Sequence, residues 1–312
     1  MIPFLLLQKI FQLFIAMVLG FLLTKLGLLK QEDSLSLSRL SLYLLLPAAI
    51  IHSFNVEMTR EILGGFLISC AAGIVLHLLF LGIDFAFTKI AHASAAERAS
   101  VFYSNAANLI IPIVSFILGS EWVIYSLGFM MVQLVFIWSH GVRLFERGKK
   151  INFRKILLNP TILAIAVGMT LMLAGIRLPS LVSDVAASLG GVLGYVGMLI
   201  AGITATKIDL KRTVKNKRLY LTSLMRVVFC PLATLVLIRV ALLFITVQNA
   251  EKIFLISFLA TATPAAATVM QLAQLYDVES DYSVAINIAT TLLSCVTIPL
   301  FVIFYQTIVP FS

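Results

Sequence analysis

Polar positions along this chain come in short groups. Between the groups lie ten continuously apolar stretches, roughly 4–26, 35–54, 61–83, 97–119, 121–143, 156–175, 184–206, 217–244, 252–275 and 281–308. Each is close to the roughly 20 residues that an α-helix needs to cross a hydrocarbon core. The runs are continuous rather than alternating, so helices are predicted and barrel strands are not. The expected fold class is an all-α polytopic membrane protein with ten transmembrane helices.

Composition sharpens this reading. Of 312 residues, 61% are hydrophobic and only 12% are charged. A soluble domain carries roughly 25% charge, so lipid must solvate part of this apolar surface. Cys70, Cys230 and Cys295 lie inside apolar stretches without metal spacing, and are expected to pack rather than to ligate or pair. The first stretch is too long for a signal peptide's apolar core and is expected to stay as a helix.

The net charge of +9 falls in connectors, not on a folded basic face, which argues against a nucleic-acid partner. The loops after spans 1, 3, 5, 7 and 9 hold sixteen basic residues, among them Lys25, Lys30, Lys89, Arg143, Lys207 and Lys215. The opposite side holds three, Arg60, Arg177 and Lys252. By the positive-inside rule the odd-numbered loops are cytoplasmic and both termini lie outside a plasma (inner) membrane. The longest connector, Arg143 to Lys155, leaves no room for a soluble domain.

The chain also repeats itself. Span 1 carries Ala16, Gly20 and Gly27, and span 6 carries Ala164, Gly168 and Gly175, an offset of 148 residues. Pro112 in span 4 and Pro264 in span 9 recur at 152. Five helices per repeat is an odd number, so residues 1–150 and 151–312 form two repeats of opposite orientation. Inverted repeats place a transport site near the bilayer midplane.

That site is expected where the prolines fall. Span 4 reads S-N-A-A-N-L-I-I-P, with Asn105, Asn108 and Pro112; span 9 reads A-T-A-T-P-A-A-A-T, with Thr261, Thr263, Pro264 and Thr268. Proline withholds a donor from residue i−4, so each helix is expected to break there. Half-helices beginning at Pro112 and Pro264 would present free N–H groups to an anion. Asn105 is the expected amide donor to a carboxylate, with Asn108 held partly by the backbone that Pro112 frees.

Other polar residues within the spans read as follows. Arg226 either snorkels to the cytoplasmic interface or partners a second substrate carboxylate. Lys9 and Arg239 read as interfacial. His77 reads as a hydrogen-bonded core histidine or a proton relay, and Gln133 and Asn287 as packing or supporting groups. No acidic residue lies mid-span, which argues against a carried cation. No metal or cofactor is expected.

At these residues the chain resembles the auxin efflux carrier family, which includes plant PIN proteins and many bacterial permeases. The resemblance rests on L-L-L-P-A-A-I at Pro47, the Asn105 to Pro112 spacing, and N-P-T-I-L-A-I-A-V-G from Asn159 and Pro160. It continues through Pro264, Ala273 and Tyr276 to T-I-P-L at Pro299. It implies a scaffold of helices 1, 2, 6 and 7, and a mobile unit of helices 3–5 and 8–10 in which helices 4 and 9 cross. It further implies elevator-type motion, a homodimer and an organic acid such as auxin, malate or malonate, and it adds Pro47 to the substrate-binding set. Two positions depart from the family: Ile110 stands where a glycine is usual, and Ile208 where auxin carriers have a polar contact.

The expected function is therefore secondary transport of a small organic anion. A channel or an acid-sensing receptor is the alternative. A channel wants polar groups along a whole pore, whereas these cluster at one depth. A hydrolase lacks support, because His52, His77, His92 and His140 match no zinc or triad spacing and no G-x-S-x-G is present.

Overall fold

The computed structural model describes residues 2–57, 59–146, 158–207, 215–245 and 247–309. Most of the basic connector after Arg143, with Lys211, Arg212 and Ile208, lies outside these residues. Among them every regular element is helical. Seven helical segments are long and apolar enough to cross a membrane, and two shorter apolar helices accompany them. No more than 50% of any of the seven is buried. Phe11, Leu67, Phe85, Leu181, Val236 and Val296 face outward, as lipid-facing side chains would. The chain is a multi-pass α-helical membrane protein.

In chain order the helices are α1 (Ile2–Lys25), α2 (Asp33–Leu40), α3 (Leu46–Ser53) and α4 (Arg60–Ala91). Then follow α5 (Ala95–Phe102), α6 (Ala106–Ile117), α7 (Val123–Phe136) and α8 (Val142–Phe145). After these come α9 (Pro160–Leu173), α10 (Ser180–Gly191), α11 (Leu193–Ala205), α12 (Lys217–Leu224) and α13 (Cys230–Ala241). The last are α14 (Ala250–Ala262), α15 (Ala267–Leu275) and α16 (Ser280–Ile308). Three pairs, α2/α3, α7/α8 and α12/α13, are joined end to end by wider π turns at Ser41–Leu45, Ile137–Gly141 and Met225–Phe229. Such turns re-aim side chains within an otherwise continuous helix.

Two pairs of glycines shape the helices around them. Gly27 and Gly175 both adopt positive φ, at 75° and 66°. Each closes its helix with the same pair of bonds: Leu28 N to Leu23 O (3.0 Å) and Gly27 N to Thr24 O after α1, Ile176 N to Leu171 O (2.9 Å) and Gly175 N to Met172 O after α9. This is a Schellman stop, and it needs a left-handed residue. The other glycine pair lets helices touch. A Cβ on Gly20 would fall 2.5 Å from the Leu199 carbonyl of α11, and one on Gly168 would fall 2.6 Å from the Phe54 ring beside α3. So α1 packs on α11, and α9 packs on α3.

Elsewhere α4 packs against α7, and α12/α13 pack against α16. At one end of these helices buried charges are paired. Arg98 grips Asp84 through two bonds of 2.9 and 2.6 Å, with His140 Nε2 3.5 Å from the same carboxylate. Arg218 grips Glu97 at 2.7 and 2.6 Å, and Tyr282 donates to it. Glu97 also completes a capping box with Ser94 that starts α5. These pairs tie α5 to α4, α12 and α16.

Candidate functional site

The helix α5 stops at Phe102 and α6 starts at Ala106, while α14 stops at Ala262 and α15 starts at Ala267. The two unwound segments meet. Ser104 and Ala265 form an antiparallel bridge, with Asn105 N bonded to Pro264 O at 2.8 Å and Ala266 N to Tyr103 O at 3.0 Å. Crossing is therefore made by backbone pairing, as unwound chain within apolar surroundings must be.

Side chains complete the pairing from both sides. Gln133 of α7 accepts from Ser104 N (3.1 Å) and Oγ (2.7 Å), and its Nε2 donates to Ser104 O (2.8 Å). Asn287 of α16 donates to Ala265 O at 2.6 Å, and Thr290 Oγ1 accepts from Ala265 N at 3.2 Å. Gln133 and Asn287 thus hold the two unwound segments together.

The break in the first helix lies seven residues before the proline expected to cause it. Pro112 sits inside a continuous α6. A helix tolerates the one bond that proline removes, and the break falls where partners for unwound backbone exist. The second break does include Pro264, but the new helix begins three residues later. Asn108 is not spent on backbone freed by Pro112; its Nδ2 donates to Asn105 Oδ1 at 3.2 Å.

Arg226 does not snorkel, and it is not among the residues that line the cavity described below. It is 0% exposed. Its Nη1 donates to Val101 O (3.0 Å), its Nε to Thr263 O (3.1 Å), and its Nη2 to Thr261 O and Thr263 O. These carbonyls are at the C-terminal ends of α5 and α14. A helix C-terminus carries partial negative charge and open carbonyls, so one cation satisfies both. The π turn Met225–Phe229 carries Arg226 into this place.

The opposite ends, the N-termini of α6 and α15, border one cavity of about 640 Å³. Asn105, Asn108, Thr268 and Gln133 line it, together with Ser104, Gln271, Asn159, Thr161, Tyr43 and Trp138. Neither helix N-terminus is capped by a side chain bonded to its own backbone. Among the described residues the Asn105 amide nitrogen makes no hydrogen bond, and Asn105 lines the cavity.

The other candidates lie elsewhere. Thr263 is buried and bonds Ala260 O, and Pro264 is buried in the bridge. Pro47 opens α3 without lining the cavity, whereas its neighbour Leu46 does line it. His77 is sealed among Phe80, Phe102, Phe129 and Phe136, its Nδ1 2.7 Å from Gly73 O and its Nε2 without a partner.

Gln271 is one of the lining residues that sequence reasoning missed. It follows Thr268 by three positions, the spacing of one helix face. Counting from Pro264 instead of from Ala267 hides that face. Lys9, read as interfacial, is covered by other side chains. It is 9% exposed, bonded to Tyr195 Oη at 3.3 Å, and lines a second cavity of about 270 Å³ with His52, Ser53, Pro112, Ser115 and Ser120.

Broken helices crossing through paired backbone, with two uncapped N-termini around a cavity inside apolar helices, define a membrane transporter. The family of membrane transport proteins of the auxin efflux carrier type matches residues 5–302, nearly the whole chain, and the chain belongs to it. No curated protein matches the chain.

Proposed function

We propose that this protein is a secondary carrier of a small organic anion, a carboxylate such as malate, malonate or an auxin-like acid, working by an elevator-type motion in a plasma membrane. The carrying observation is the 640 Å³ cavity bordered by both half-helix N-termini and the free Asn105 amide. Two N-termini act as roughly +0.5 charge each. At about 5 Å and an effective dielectric of about 20 they attract one carboxylate by about 3 kcal/mol. Holding one acidic group mid-membrane costs about 2.5–3.5 kcal/mol, so a monocarboxylate is balanced there. A screen of mono- and dicarboxylates by thermal shift on purified protein tests the ligand class; no shift with any of them would overturn it.

The pairing of helices supports two inverted five-helix repeats, since α1 on α11 answers α9 on α3, and α4 on α7 answers α12/α13 on α16. It also supports a division into a scaffold (helices 1, 2, 6 and 7) and a moving unit (helices 3–5 and 8–10). Between these, α6 lies on a line of glycines. A Cβ on Gly194 would be 2.8 Å from Pro112 Cγ, and one on Gly197 would be 3.3 Å from Asn108 Cβ. A smooth surface lets the moving unit slide. This contact stands between the 640 Å³ and 270 Å³ cavities, which favours alternating access over a continuous pore. Gly194→Val should overpack it by about 1–3 kcal/mol. Transport is then expected to fall at least about tenfold, while carboxylate affinity changes little. A parental transport rate in folded Gly194→Val protein would rule out sliding along this line.

For orientation, we place both termini outside and the carrier as a homodimer. Cysteine substitutions at exposed sites check the orientation. Glu57→Cys should react with a membrane-impermeant maleimide in intact cells, and Glu32→Cys only after permeabilisation. The reverse pattern would invert the topology.

A further inference from the structure

Among the described residues the larger cavity is lined by no charged side chain, whereas the smaller one has Lys9. Lys9 comes from α1, nine-tenths buried, with its ammonium 4.8 Å from the Tyr195 ring centre and 5.3 Å from that of Phe116. Two aromatic faces and one phenol hold it in place. Among the described residues no carboxylate pairs with it; Asp84, Glu57 and Glu97 are paired with Arg98, Arg177 and Arg218. An ammonium has three donors, and Tyr195 takes one. The donors left over point to a ligand that accepts hydrogen bonds and carries negative charge.

The remaining wall suits one. His52, whose Nδ1 is 3.2 Å from Ser183 Oγ, and the pair Ser115 and Ser120, 3.0 Å apart, add polar groups; no acidic side chain lines the cavity. About 270 Å³ accommodates an acid of a few carbons. Pro112 lines this cavity and Asn108, one turn earlier on α6, lines the larger one. The two sites are therefore separated by the turn of α6 that rests on Gly194 and Gly197.

We infer that Lys9 forms a second anion site, an outer vestibule that binds the small carboxylate on the external face before or after its passage past α6. This inference rests on the carrier reading above. A fixed cation there draws anions to the outer mouth, and the inner cavity binds them through helix ends and amides. The two faces of the carrier should then respond differently to loss of one charge.

The test uses the parent, Lys9→Gln, Lys9→Arg and Ser115→Asp in oriented membrane vesicles, with radiolabelled malonate, malate and acetate as probes. Ser115→Asp leaves Lys9 in place and supplies a carboxylate inside the vestibule. Lys9→Gln should raise the external half-saturation concentration at least about tenfold, leave the internal one within about twofold, and remove competition by external chloride. Lys9→Arg should restore the external value, and Ser115→Asp should reproduce the Lys9→Gln effect even if Lys9→Gln fails to fold. Unchanged constants on both faces, or equal rises on both, would overturn the vestibule and leave Lys9 as a packing residue. A parent without saturable flux of any probe would instead overturn the carrier reading.

Discussion

Arg226→Met is expected to destabilise the protein by about 3–5 kcal/mol, the range seen when one partner of a buried charged contact is removed, and to abolish transport. The substitution keeps an apolar stem of similar reach but strips the donors from the carbonyls of Val101, Thr261 and Thr263. Each buried carbonyl left bare costs about 1–3 kcal/mol, and no water is at hand in an apolar interior to replace the donor. The crossing itself depends on this cation, because α5 and α14 end at those carbonyls. Arg226→Lys should recover part of the loss. It keeps the charge but offers three donors from one point, where the planar fork of arginine spans two helix ends. Detergent-solubilised protein gives the measurement, as midpoint of thermal unfolding and fraction monodisperse. If Arg226→Met unfolds at the parental temperature, the guanidinium does not hold the crossing.

The same contact explains what the sequence could and could not disclose. Apolar runs, loop charge and paired glycines are local signals, and they locate the helices within a few residues. Gly27 and Gly175 end their helices as their type requires. The position of the first break is a long-range property. Unwinding at Tyr103–Asn105 is stabilised by Gln133, which lies 29 positions away, and by Pro264 of the other broken helix. Proline alone suggests a break at Pro112, yet no partner for unwound backbone waits there. Asn105 itself was a legible sign, since asparagine commonly precedes a helix start, and it does precede Ala106. The burial of Arg226 and Lys9 was not legible, for one reason. Distance from the end of an apolar run gives depth along a helix but not which face is covered. Tyr195, 186 positions from Lys9, decides that.

Asn105 should then be the residue on which affinity for the anion depends most. Its Oδ1 is held by Asn108 Nδ2 at 3.2 Å, which turns the amide nitrogen toward the cavity between the two helix N-termini. Asn105→Ala removes one hydrogen bond to a charged group, worth roughly 1.5–3 kcal/mol. Binding should weaken about ten- to a hundredfold. Asn105→Asp keeps the size but sets a carboxylate against the ligand's own, so it should weaken binding further than alanine does. Asn108→Ala leaves the donor in place and only releases its orientation, so its loss should be smaller than that of Asn105→Ala. The order of affinities expected by titration of folded protein is parent, Asn108→Ala, Asn105→Ala, Asn105→Asp. The two Asn105 variants separate charge from shape, because only the aspartate adds repulsion at unchanged volume. Asp at this position would also draw the free N–H groups of Ala106 and the following residues to itself, capping α6 from within. That competition removes one of the two helix ends from the ligand. If Asn105→Asp binds the carboxylate as tightly as the parent, the anion does not sit between α6 and α15, and the search moves to Gln271 and Thr268 on the opposite wall.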